Sequence, residues 1–150
     1  MRHALPGADR RDIVGCVGVL MDYFAATDAE LAAMDLDAGP AGNNWPHVDC
    51  KGWILEVEEF VAEIGGRDPS EFGEDQPLGE SADPEFEGPW TVRVNAQLAE
   101  TLAGLEPAQI RGYADRFLLE EWEVQRLIAL AELARSAAAQ GRSLYSWSSL

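Results

Sequence analysis

The stretch EWEVQRLIALAELARSAAAQ, residues 121–140, decides how the rest of the chain must be arranged. On a 3.6-residue period Val124, Leu127, Ile128, Leu130, Ala131, Leu133, Ala134, Ala137 and Ala138 fill a broad apolar arc, leaving Gln125, Ala129, Glu132, Ser136 and Gln140 as one narrow wet stripe. A helix polar over so little of its circumference belongs at the centre of a fold. Its alanines let neighbouring elements approach closely, and Gly141 is the residue type best suited to a left-handed C-terminal cap. The run that follows, with Leu144, Tyr145 and Trp147, reads as a closing strand.

Working outward, residues 17–26 (VGVLMDYFAA) are apolar on both alternating faces apart from Asp22, the pattern of an inner strand. Thr27 and Glu30 form a capping box for a short helix ending near Met34. LDAGPAGNNWP, residues 36–46, is punctuated as a loop with Trp45 placed to plug it onto the core, and residues 47–51 form a short extended run. Ile54, Val57, Phe60, Val61 and Ile64 share one face of a helix over 53–64, whose opposite face carries Glu56, Glu58, Glu59 and Glu63. Trp90, Val92 and Val94 alternate as a half-buried strand, Asn95 caps the helix carrying Leu98, Leu102 and Leu105, and Pro107 opens another with Ile110, Tyr113, Ala114 and Phe117 on one side. A break near 119–121 leads into the central helix. The expected fold is a single α+β domain over 17–150, with three to four strands packed against about five helices.

Composition narrows the function classes. With 27 acidic against 11 basic residues the net charge is -16, which repels nucleic acid backbones and anionic membrane surfaces and attracts cationic partners. No apolar run approaches the ~20 residues of a membrane span. Cys16 and Cys50 occur without a signal peptide, so a reduced, cytoplasmic setting is expected. Residues 1–16 carry three arginines and little periodicity and read as a flexible leader. The segment 67–88 holds Asp68, Glu71, Glu74, Asp75, Glu80, Asp83, Glu85 and Glu87, with no basic residue after Arg67, and is expected to be a long mobile loop.

The segments GVLMDYFAA, VDCKGW, the GPW strand start and the closing GRSLYSW together resemble a family of small actinobacterial proteins of unknown function, and in general plan the chain is similar to the YfbM-like family. The resemblance covers about residues 17–150 and implies no catalytic residues. It also implies a start of translation at Val17, which would make residues 1–16 an upstream extension.

Chemistry-bearing constellations are sparse. His47, Asp49 and Cys50 are all zinc-competent, but in an extended run Cys50 points away from the other two and no further Cys or His pair completes a tetrahedral set. No metal or cofactor is expected. The chain has no phosphate-loop, nucleophile-elbow or HExxH motif. Two expectations follow. The first is an interaction protein whose acidic surface, with Glu71, Glu74, Asp75 and Glu80 as steering charges and Glu56, Glu59 and Glu63 as the alternative face, binds a cationic partner, as an immunity protein binds a toxin. The second is a small-molecule or enzymatic cleft lined by Asp22, Tyr23, Trp45, Asp49, Lys51 and Trp53, since five tryptophans exceed what a small core needs and Lys51 is the sole lysine.

Overall fold

A computed structural model describes residues 20–53 and 56–150. The expected leader at 1–16, together with Val17, Val19 and Ile54, lies outside the described residues.

The sheet forms because its strands carry apolar side chains on both faces. Strand β1 (Leu20–Ala26) sits between β2 (Val48–Asp49) and β5 (Ser143–Ser149), and β5 is followed by β4 (Trp90–Arg93) and β3 (Gln76–Pro77), giving five strands in the order β2-β1-β5-β4-β3. Every neighbouring pair is antiparallel. In that register Phe24 lies opposite Tyr145, and Asp22 opposite both Trp147 and Asp49. Alternation then divides the molecule into layers. Met21, Tyr23 and Leu144 enter the main core with Val94, whereas Phe24, Ala26, Tyr145 and Trp147 form a smaller cluster on the other face.

The main core is covered by α3 (Glu56–Gly65), α4 (Ala96–Ala103), α5 (Pro107–Phe117) and α6 (Glu121–Ala139), and α6 touches β1, β2 and β5 as well as α4 and α5. Leu127 and Leu130 are fully buried and Gln125, Glu132 and Ser136 are exposed, as the periodicity puts them, whereas Ala138 at the end of the apolar arc is exposed and Ala129 on the wet stripe is half-buried. Caps fix the helix starts. The Asn95 side chain accepts from the Leu98 amide at 2.8 Å, and reciprocal boxes join Glu106 with Gln109 and Glu120 with Glu123. Among the described residues no helix is long and apolar enough to cross a membrane.

The second face is covered by α1 (Asp28–Ala32), α2 (Gly39–Gly42) and the connections around them. Trp45 does plug its loop onto the core, donating its indole N–H to the Ala25 carbonyl at 2.9 Å, and Trp147 donates to the Leu36 carbonyl at 2.6 Å. Arg142 clasps Glu30 through Nε and Nη2, at 2.9 and 2.7 Å, and thereby ties α1 to the start of β5. That guanidinium, with the Thr27 amide, pushes the Glu30 carboxyl down to about 2. The tie is therefore intact above the ordinary value of 4.5 and is lost only as pH falls through about 2.

Three expectations need correction. The sheet has five strands where three to four were expected, and six helices are described where about five were expected, because α2 folds inside what reads as a loop. The acidic segment is not an open loop. It contains short 3₁₀ turns at Pro69–Glu71 and Gly79–Ala82 and supplies edge strand β3. The cause is local turn chemistry combined with apolar anchors. Asp68 accepts from the Ser70 amide at 2.9 Å, the Leu78 amide donates to the Thr91 carbonyl at 3.0 Å, and Phe72 and Leu78 pack against the two core clusters.

Candidate functional site

The six residues expected to line one cleft are divided by the sheet. Tyr23 and Trp53 are buried in the main core, Trp45 packs on the opposite cluster, and Lys51 is exposed in the turn after β2. Asp22 and Asp49 stand beside one another as a cross-strand pair, and the Lys51 backbone amide donates to the Asp49 carboxylate at 2.9 Å. Cys50 is fully buried and its thiol is pushed up to about 12 by desolvation, which leaves almost no thiolate for nucleophilic or metal chemistry at neutral pH. Among the described residues no group of three or more His, Cys, Asp or Glu side chains is placed to hold a metal ion.

Asp22 is 9% exposed, and no hydrogen bond reaches its carboxylate among the described residues. Burial raises its pKa above the ordinary 3.8, with His47 opposing and Asp49 adding to the shift. A carboxyl raised on folding opposes the fold at neutral pH and is relieved as pH falls toward 3.8. Asp22→Asn is therefore expected to raise the melting temperature at pH 7, with the gap from wild type closing below 3.8. A wild type that is the more stable protein at pH 7 would show that the ionised form is held favourably.

The four acidic steering residues are also unequal. Glu71 is paired with Arg67, the one basic residue of the segment, at 2.7 Å. Asp75 accepts from both the backbone amide and the side-chain amide of Asn95, each at 2.8 Å, and so props the start of α4. Glu74 and Glu80 are exposed and have no such internal partner among the described residues.

The feature that sequence reading missed is the corner between α5 and α6. Phe117 is 51% exposed, Leu118 87% and Trp122 50%, so three large apolar side chains reach solvent within six residues. Leu118 occupies the left-handed position that ends α5, at φ 59 and ψ 41, where glycine is the usual occupant. The corner rests on a continuous aromatic ladder. Trp122 meets Trp53 at 6.2 Å between ring centres, Trp53 meets Phe60 at 5.2 Å, Phe60 meets Tyr113 at 6.0 Å, and Tyr113 meets Phe117 at 4.5 Å. Arg126 lies 4.7 Å from both indoles and donates to the Lys51 carbonyl at 3.1 Å, which fixes Trp122 in place. Acidic groups surround the ladder. Glu59 and Glu63 on α3 act on Tyr113, and Asp115, Glu120 and Glu121 are exposed around the turn, against Arg111, which is paired with Glu121 at 3.2 Å, and Arg116. The available signal was Phe117-Leu118-Leu119 at a helix end, where a polar or glycine stop would be ordinary.

A cleft of about 630 Å³ lies at the other end of α6, between α4, the end of β4 and the start of β5. None of the six residues expected to form a cleft lines it. Of the acidic set, Glu74 does. Comparison with models of known protein families, with curated proteins and with solved structures finds no match to this chain.

Proposed function

We propose that this chain is an interaction protein that docks a cationic protein partner on the α5–α6 corner, in the manner of an immunity protein engaging a toxin. The observation that carries this reading is Leu118, 87% exposed and held in a left-handed conformation that costs a leucine about 1 kcal/mol relative to glycine. Strain and exposure of that kind gain nothing for the isolated fold. They are repaid where the side chain fills a pocket on another molecule, next to an indole and a phenyl ring that a packed ladder keeps in one orientation. The acidic surround and the net charge of -16 supply steering and select a basic partner, while the apolar centre supplies affinity.

The test places a photoreactive benzoylphenylalanine at position 117 in cells of the native host. Crosslinking to a basic protein is expected, and Leu118→Gly should abolish it while raising stability by about 1 kcal/mol, so loss of the crosslink cannot be put down to unfolding. Crosslinks that survive Leu118→Gly unchanged, or that join two copies of this chain only, would overturn the reading.

A further inference from the structure

We infer that the carboxylate pair Asp22 and Asp49, on the face of the sheet opposite the main core, is a receiving site for a primary alkylammonium group. Residues directly opposite one another in an antiparallel pair point to the same face, so the register that sets Asp22 against Asp49 puts both carboxyls on one side. The Cys50 amide donates to the Met21 carbonyl at 2.7 Å, which makes Met21 and Cys50 a hydrogen-bonded pair. The next pair along, Asp22 and Asp49, is then a non-bonded one and takes the closer of the two spacings, with Cα atoms about 4.5 Å apart. Like charges so placed repel.

The partnering of Asp22 is what points to a ligand. Asp22 is only 9% exposed, yet its carboxylate takes no hydrogen bond and no ion pair among the described residues. Its oxygens are not sealed off, unlike Glu56 Oε1 and Arg93 Nε, so an incoming donor can reach them. A carboxylate drawn this far out of water without a partner is costly, and the neighbour the fold gives it is a second carboxylate. Asp49 is steadied through Oδ1 by the Lys51 amide at 2.9 Å. His47, two positions before Asp49, is near enough to favour the ionised form of Asp22 but makes no bond to it, its Nδ1 lying 2.9 Å from the Trp45 carbonyl oxygen.

A cation relieves the burial cost and the repulsion together. Among the described residues no three ligating side chains converge, so a metal ion would lack the donor set it needs, whereas an ammonium has three N–H donors that two carboxylates satisfy. Leu20, two positions before Asp22 on the same face of β1, is 41% exposed, and Trp147 stands opposite Asp22 on β5, so apolar surface flanks the pair and suits an alkyl stem. Neither carboxylate belongs to the α5–α6 corner, so this inference stands apart from the docking proposal.

The test uses n-butylammonium as probe at constant ionic strength and neutral pH, followed by the carboxyl carbon shifts of the aspartates. Saturable shifts are expected at Asp22 and Asp49, with tetramethylammonium, which has the charge but no N–H, binding about tenfold more weakly. Asp22→Asn, a variant expected to be at least as stable as the wild type, should remove the saturable shift at Asp49, and Asp49→Asn should weaken binding about tenfold. Nα-acetyl-lysine N-methylamide presents the same ammonium on a peptide unit, and its affinity relative to n-butylammonium tells a protein lysine from a free amine as the source of the group. Four results would each overturn the inference: tetramethylammonium that binds as tightly as n-butylammonium, magnesium that binds the pair more tightly than either, binding that survives Asp22→Asn, or no saturable shift with the two amines.

Discussion

Replacing Leu127 with alanine is expected to cost about 2–5 kcal/mol of stability, because a fully buried leucine loses both its transfer free energy and the contacts of its neighbours around the cavity left behind. Leu127 lies on the apolar arc of α6, the element that touches three strands and two helices, so little can collapse into the gap without moving the whole layer. For a chain of 150 residues that corresponds to a drop in melting temperature of roughly 5–15 °C. Leu118→Ala is the matched control. It removes the same atoms from a position that is 87% exposed, and the change should stay within about 0.5 kcal/mol. Chemical denaturation of the two variants decides the matter, and similar losses in both would mean that the corner is packed and not presented.

The second large effect is expected at Gly39, for a reason that separates into two measurable parts. Its φ of 71° lies in the left-handed region, and a Cβ built there would stand 2.8 Å from Cε2 of Trp147. Gly66 has nearly the same φ, 68°, with nothing within 4 Å of its Cβ position. Gly66→Ala should therefore report backbone strain alone, about 1 kcal/mol, whereas Gly39→Ala should add the cost of displacing an indole, for a total of roughly 2–4 kcal/mol. The indole cannot retreat cheaply, since its N–H is held by the Leu36 carbonyl at 2.6 Å. Equal losses at the two glycines would show that Trp147 has room to move.

Much of the fold was legible because periodicity and caps are local. The arc of α6, the Thr27 and Asn95 caps, Pro107 at the start of α5 and the apolar alternation of β1 all appear where the sequence places them. Strand β3 and helix α2 were not legible for the complementary reason. Gln76-Pro77 has no strand propensity of its own and pairs with β4 because Leu78 and Phe72 dock on the cores to either side. Gly39–Gly42 turns helical where Gly39 must pass close beneath Trp147. Candidate sites fared worse still. Asp22, Tyr23, Trp45, Asp49, Lys51 and Trp53 are near in sequence to two adjacent strands, yet the two-residue period of β1 sends Asp22 and Tyr23 to opposite sides of the sheet.

What the sequence by itself determined is the elements other than α2 and β3, the strongly acidic balance and the identity of the central helix, all of which follow from composition and from side chains a few positions apart. Only the tertiary structure decided which groups share a surface. Stacking Trp122, Trp53, Phe60, Tyr113 and Phe117 requires α3, α5 and α6 to converge, and setting Asp22 against Asp49 requires β1 and β2 to pair. Such convergence depends on long-range packing geometry, which no pattern within a single segment encodes.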